Sequence, residues 1–367
     1  MEFAEKWGSM NPKVYVLLLN WNGWVHTLEC LESLFRNEYP HWQVVVCDNA
    51  STDNSMIHIK KWADGEMLAP VGANPEMASF TTPPCSKPVV YCQYTQDDIE
   101  NSNITQDSTP LILIQNKTNL GYAGGCNVGL KYILKQHNAA YAWLLNNDTV
   151  IEPGALTSLV NKSLNDAHYG ICGSTLVYYH QPKHIQARGG NQYFPALGST
   201  SHIGFNEFFS RISAEEELKL EKKMAAPVGA SMLVSRSFLE NVGLMSEDYF
   251  LYFEELDWAL RGRGRYHLGY ASDSIIYHKE GASIGGGNKN KRQKSELADY
   301  YEIKNRLLIS RKFYPMFIPT VLAGYLITII NRLHRKQANR IPLIFQAIRD
   351  GLQQKINCVT HQQFPKT

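Results

Sequence analysis

The chain has 367 residues, 44% hydrophobic and 19% charged, a globular composition long enough for one large domain and an appendage. Lys+Arg 36 against Asp+Glu 34 leaves a formal net charge of +2, so no whole-protein field draws it to nucleic acid. Seven scattered cysteines without a C-x-x-C pair argue for reduced thiols, against both a disulfide framework and a zinc site.

Residues 1–12 have no apolar core and form an N-terminal tail, not a signal peptide, which places the expected site of action in the cytoplasm. The sequons at Asn103 and Asn147 are then chance matches. Residues 14–19 are a short apolar strand closed by the turn-prone Asn20, Trp21, Asn22 and Gly23. Val25, Leu28, Leu31 and Phe35 follow at helical spacing. A second strand, 43–47, ends at Asp48, and a polar turn leads to the segment holding Ile57, Ile59 and Trp62. Between 66 and 110 the pattern dissolves into Pro, Ser, Thr and Asn, as expected of a surface insertion, with only 89–94 strand-like. Strand 111–114 then precedes a glycine-rich turn and a helix over 128–134, and strand 141–145 ends at Asn146.

Alternating strands and helices predict a mainly parallel sheet, whose ligands gather at the carboxyl ends of the strands. Trp21, Asp48, the Gly121 turn and Asp148 each follow a strand end, so they should line one crevice. Beyond 152, a helix and mixed strands run to about 204, and the charge-rich stretch 215–223 has the pattern of a solvated helix face. Residues 281–294 form a glycine-hinged basic loop, followed by a helical pattern to about 311. The apolar run 313–330 has Arg311 and Lys312 before it and Arg332, Arg335 and Lys336 after it. Three readings stay open for it: a core helix, a monotopic membrane contact with basic flanks on headgroups, or a full span.

Three clusters have the residue types of a reaction centre. The segment from Asn119 to Asn127, with Gly121, Gly124 and Gly125, either offers backbone amides to an anion or packs a helix closely on a strand. Asn146, Asn147 and Asp148 supply oxygen ligands of the kind a hard divalent ion takes together with phosphates. Glu254, Glu255 and Asp257 crowd among Tyr252, Phe253 and Trp258, where carboxylates raise one another's pKa toward that of a general base. Helical spacing puts Glu254 and Asp257 on one face and Glu255 on another. Acids at a helix N-terminus also simply suit its dipole. His278, after an apolar strand, is a structural or a metal-binding histidine.

Taken in order, these segments resemble the family 2 glycosyltransferases, inverting enzymes of the GT-A fold, and most of all their rhamnosyltransferase-like branch. The matching stretches are 14–23, 46–53 (V-C-D-N-A-S-T-D), 119–129, 146–148 at the D-x-D position, 227–232 on the acceptor side, 252–261 at the E-D-x-D helix, and His278. The resemblance implies an α/β GT-A catalytic domain over 13–295, with 66–110 inserted and a helical, membrane-proximal region over 296–367. It implies Asn20, Trp21, Asp48, Asn119, Gly121, Asn127, Asn146 and Asn147 around a nucleotide-sugar donor, UDP- or dTDP-linked, with rhamnose as one sugar. Asp148 and His278 would hold Mg²⁺ or Mn²⁺, Glu255 would be the base, and Glu254 and Asp257 would position acceptor and base. The loop 285–294 would close on the diphosphate. The acceptor would be a glycan or a polyprenyl-linked glycan at the inner face of the cytoplasmic membrane. Three departures stand out: Asn146 and Asn147 leave one carboxylate in the metal motif, the base is Glu where Asp is common, and the insertion is long. A nucleotidyltransferase would want a basic glycine-rich loop after the first strand, where Asn20 to Gly23 stand instead. A non-catalytic nucleotide-binding subunit would have no use for Glu255, Asp257 and His278.

Overall fold

A computed structural model describes residues 11–101, 104, 108–280 and 295–356. Among these, ten strands join one sheet in the order β3-β4-β2-β1-β5-β12-β7-β13-β6, with β8 (Gln181–Arg188) paired to β7. The first half is parallel: β1 (Lys13–Asn20) lies between β2 (Trp42–Asp48) and β5 (Ala139–Asn146), and β4 (Leu111–Gln115) continues outward. The edge strand β3 (Tyr91–Thr95) comes from within 66–110, so that stretch supplies part of the main sheet as well as surface loops. Beyond β5, β12 (Ser231–Ser235) pairs antiparallel with β5 and with β7 (Tyr169–Tyr178). A smaller sheet joins β9 (Gly190–Phe194) to β10 (Ser199–His202) and β11 (Ala226–Pro227).

Both faces of the parallel strands are buried, which is why they read as unbroken apolar runs. Val14, Val16 and Leu18 of β1 face one core, which includes Leu28 and Leu31 of helix α1 (Trp24–Leu34) and Ile59 of α2 (Ser55–Asp64). Tyr15 and Leu17 face the other, with Val128 and Leu130 of α3 (Gly121–Lys135). Each such buried side chain contributes about 1.5–3 kcal/mol. The glycines of α3 bring it close to the sheet: a Cβ at Gly125 would lie 2.6 Å from a Leu19 methyl, and one at Gly129 2.3 Å from a Leu17 methyl. Close packing therefore accounts for these two.

Helix α4 (Ala155–Leu164) and helix α5 (Ala214–Glu221) cover the far half of the sheet. The charge-rich α5 is not only a solvated face. Lys162 of α4 lies 2.7 Å from Glu217 and 2.5 Å from Glu221. Those carboxylates also accept backbone N–H bonds from Ser272 and Tyr270 of β13 (His267–His278), at 2.9 and 2.8 Å. Pairing partners distant in sequence made this half of α5 invisible to a local charge pattern.

Helix α6 (Glu254–Gly262) packs against α7 (Glu296–Phe313), which is held in turn by α8 (Ile318–His334) and α9 (Ile341–Gln353). Asp257, expected beside Glu254, instead turns inward and is fully buried. The reason is a convergence of donors: Arg261 Nε at 2.7 Å, Lys312 Nζ of α7 at 2.6 Å and the Tyr249 hydroxyl at 3.2 Å. Asp299 of α7 does the same for α8 and α9, accepting both carboxylate bonds from Arg332 at 2.8 Å and a further one from Arg340. Arg311 donates to the carbonyls of Gly351 and Gln354. Of the basic residues flanking the apolar run, Arg311, Lys312 and Arg332 thus serve internal bonds, and Arg335 and Lys336 stand exposed. The helix from Pro315 to His334 is long and apolar enough to cross a membrane, yet only 11% of its most apolar stretch is buried. A core helix it is not. Met316, Leu326, Ile327, Ile330 and Leu333 face outward.

Removing the Asp257 carboxylate leaves two buried cations facing each other. Asp257→Ala should therefore cost about 3–5 kcal/mol of stability, read as a lowered denaturant midpoint at unchanged slope; a loss under about 1 kcal/mol would place this ion cluster among interactions of surface strength.

Candidate active site

The carboxyl ends of β1 and β5 open on a cleft of about 590 Å³. Trp21, Asn119, Gly121 and Tyr122 line one side, and Asn146, Asn147 and Asp148 lie along its floor. Glu254 and Glu255 line it from the start of α6, with His278 at the end of β13. A far wall comes from the smaller sheet and α7, including Ser199, Thr200, His202, Glu302 and Arg306, which the sequence did not single out. Nothing in their local pattern marks them; only the fold brings the hairpin and α7 to this cleft.

Three expected donor-site residues lie beneath the cleft rather than in its wall. Asp48 is buried, accepting from Asn20 Nδ2 at 2.7 Å, Gln115 Nε2 at 2.8 Å and the Ser51 amide at 3.0 Å. Asn20 in turn accepts from Thr27 at 2.8 Å, and Asn147 donates to that same hydroxyl at 2.9 Å. The first strand end is thereby tied to the metal-motif loop. Asn127 latches residues 245–247, donating to the Met245 carbonyl and to Glu247, and accepting from the Met245 amide. Asn49, part of the 46–53 match but given no role there, holds the α3 turn through Asn119 at 2.9 Å and the Gly121 carbonyl at 3.1 Å. Gly121 itself must be glycine: its φ is +72°, and a Cβ would sit 2.4 Å from the Phe250 carbonyl.

Asp148 and His278 meet because β13 pairs antiparallel with β6 (Thr149–Ile151), in a register that sets His278 opposite Thr149. Both side chains are buried, with Nε2 3.2 Å from Asp148 Oδ1. The approach lacks hydrogen-bond geometry, and Nε2 has no such partner. Nδ1 lies 2.8 Å from Gln186 Oε1, an acceptor, which puts the ring N–H on Nδ1 and leaves the Nε2 lone pair facing the carboxylate. A lone pair and a carboxylate turned on one point fit a cation between them. Alternatively a proton fills the role: burial opposes the charged imidazole, but the Asp148 carboxylate outweighs it and raises the His278 pKa. Among the described residues no group of three or more His, Cys, Asp or Glu could hold a metal, so these two would need oxygens from elsewhere. Next to them, Lys279 is fixed by Glu29 of α1 and by His26.

Glu254, Glu255 and Asp257 all lie in the first turn of α6, where the helix dipole favours carboxylates. Burial wins over the dipole. It pushes Glu255 up to about 7, and burial together with the Glu255 carboxylate pushes Glu254 well above its ordinary value. Glu254 Oε2 has no hydrogen-bond partner. The cleft walls as described hold five carboxyls (Asp148, Glu254, Glu255, Glu280 and Glu302) against one guanidinium, that of Arg306. A diphosphate entering here needs added positive charge. The basic loop 285–294, the expected source of some of it, lies outside the described residues, as do the sequon at Asn103 and Cys358; the six described cysteines are free thiols.

Known proteins share this architecture. Residues 86–295, more than half of the chain, match the family described as "Glycosyltransferase like family 2", and residues 15–71 match "Glycosyl transferase family 2". A low-salt glycan biosynthesis hexosyltransferase of Haloferax volcanii is 25% identical over 250 residues, which cover 65% of this chain and 74% of the relative. The crystal structure of GalNAc-T7 with UDP, GalNAc and Mn²⁺ aligns with a TM-score of 0.52 at 12% identity, covering 84% of this chain and 49% of that one. The mannosyltransferase PcManGT of Pyrobaculum calidifontis, solved with GDP-Man and Mn²⁺, aligns over 95% of this chain and 89% of its own at 14% identity, with a TM-score of 0.49. With its sheet flanked by helices in the GT-A manner and its acidic cleft at the strand ends, the chain belongs to the family 2 glycosyltransferases and is a glycosyltransferase enzyme.

Proposed function

We propose that the protein is an inverting transferase. It moves a sugar from a UDP- or dTDP-sugar, dTDP-rhamnose among the candidates, to a hydroxyl of a glycan or polyprenyl-linked acceptor. The observation that carries the reading is the placement of Glu255: a carboxylate lining the cleft that also holds Asp148 and His278, with its pKa raised to about 7 by burial. A base poised near neutrality accepts a hydroxyl proton efficiently. Glu255 takes that proton as the acceptor oxygen bonds to the anomeric carbon, and the bond from that carbon to the diphosphate oxygen breaks. Glu254, whose burial and charged neighbour raise its pKa, orients the acceptor or Glu255.

Trp21 offers a ring for the base of the nucleotide, while Asn119, Asn146 and Asn147 offer amides along the cleft. Asp48, Asn20 and Asn127 shape this half from beneath. Asp148 and His278 would hold Mg²⁺ or Mn²⁺, which supplies charge to the departing diphosphate when bound. The excess of carboxyls in the cleft supports that need, and the similarly folded GalNAc-T7, solved with Mn²⁺, is in keeping with it. The catalytic unit, expected over 13–295, also takes Glu302 and Arg306 of α7 into its cleft, and α8 within 296–367 contacts the inner face of the cytoplasmic membrane. The outward apolar side of α8, with Arg335 and Lys336 at its end, supports that contact.

Glu255→Gln should lower kcat by at least about 10²-fold while leaving donor-induced thermal stabilisation nearly intact; a variant with wild-type turnover would move the base elsewhere. Wild-type kcat should fall as pH drops through about 7, because protonated Glu255 accepts nothing; a flat profile from pH 5 to 8 contradicts the assignment. In vesicle flotation, wild-type protein should rise with anionic liposomes and Ile327→Glu with Ile330→Glu should not. Equal flotation of the two would remove α8 from the membrane contact.

A further inference from the structure

Tyr252 and Phe253 sit consecutively in the left-handed region, with φ of 68° and 73°. For bulky aromatic residues each such conformation costs on the order of 1–3 kcal/mol and persists only where its surroundings impose it. Glu254 and Glu255 follow at once, so this turn sets the direction in which both carboxyls leave the chain. Its restraint comes from α7. Asn305 is fully buried, and its Nδ2 donates to the carbonyls of Leu251 at 2.7 Å and Tyr252 at 3.2 Å. One residue earlier in the turn, the Phe250 ring stacks on Tyr301 of α7 at 4.9 Å, and the Phe250 carbonyl accepts from the Tyr122 amide at 2.8 Å. The Oδ1 of Asn305 is buried without a hydrogen-bond partner. A buried amide kept with half of its capacity unmet costs stability, so packing alone is a poor account of an asparagine here.

We propose that Asn305 is a positioning residue for sugar transfer: by holding the carbonyls of Leu251 and Tyr252 it locks the left-handed turn that aims Glu254 and Glu255 into the cleft. The proposal rests on Glu255 being the base. Asn305 is not among the cleft-lining residues and acts only through the turn. The other titratable groups around the carboxyl pair are Tyr122 and Cys126 of α3, both pushed up by burial, Tyr252 of the turn, and Glu280 and Glu302 in the cleft wall. With Tyr122 and Cys126 raised, neither ionises near neutrality; His278, across the cleft, is common to wild type and variant and is not touched by Asn305, so a difference between their acid limbs reports on the glutamates.

The test is Asn305→Leu, near in volume but unable to donate, beside Asn305→Ser, which keeps one short donor. Asn305→Leu should lose about 10- to 100-fold in kcat, as expected of a misaimed catalytic group, with donor KM within about twofold of wild type. The acid limb of kcat should move to lower pH as Glu255 gains water, and amide exchange should quicken at 251–254 while the core strands stay protected. Asn305→Ser should recover part of the turnover. Wild-type kcat in Asn305→Leu overturns the proposal, as does a loss that follows a global fall in Tm with the acid limb unmoved. Should Asn305→Leu fail to fold, the same readouts on Asn305→Ser decide. If Glu255→Gln proves active, the base reading fails separately; local quickening at 251–254 still supports the hold by Asn305, and unchanged exchange overturns it.

Discussion

The site depends on one juxtaposition: a buried carboxylate and a buried imidazole, Asp148 and His278, turned toward one point. Burial removes the water that would otherwise satisfy both, so the pair suits a cation or a proton between them. The pairing of β13 with β6 enforces the meeting, and the neighbours fix its chemistry. Gln186 holds the imidazole through Nδ1, and Lys279, clamped to Glu29, secures the strand end that carries it. The rest of the cleft extends the same demand, for its walls hold more carboxyls than cations among the described residues.

The opposite side of the cleft solves a different problem, that of keeping carboxyls raised in pKa yet aimed. Helix α6 offers its N-terminus, where isolated acids would be favoured as anions, and burial overrides that preference for Glu254 and Glu255. Asp257 shows the contrast one turn on: with Arg261 and Lys312 as partners, it serves as the anchor that binds α7 to α6. The helix that presents an apolar outer face, α8, thus packs on the one that holds the turn carrying the proposed base, α7.

Much of this was legible in the sequence because parallel strands buried on both faces show as apolar runs, and the residues just past them converge by topology. Trp21, Gly121 and Asp148 reached one cleft for that reason, with His278 joining from β13. What stayed hidden depends on partners far along the chain. Asp48 and Asn20 stand at strand ends and Asn127 on the helix after the glycine-rich turn, yet their hydrogen-bonding capacity is spent on Gln115, Thr27 and Met245. Helical spacing alone put Asp257 beside Glu254; a lysine 55 positions later turned it away. Asn305 and Asp299 lie in a helix with no motif at all, and only the carbonyls and arginines packed against them give them meaning. The edge strand β3 did show as the strand-like run 89–94; what its loop-like surroundings hid was its place in the main sheet, beside β4.

Calorimetric titration of UDP and dTDP with and without Mn²⁺, on wild type and on Asp148→Asn and His278→Ala, addresses the central juxtaposition directly. Wild-type protein should bind at least one of the two nucleotides more tightly by about tenfold or more with Mn²⁺ present, and both variants should lose that gain while retaining the metal-free affinity. A gain that survives intact in both variants would contradict the assignment of Asp148 and His278 to the metal.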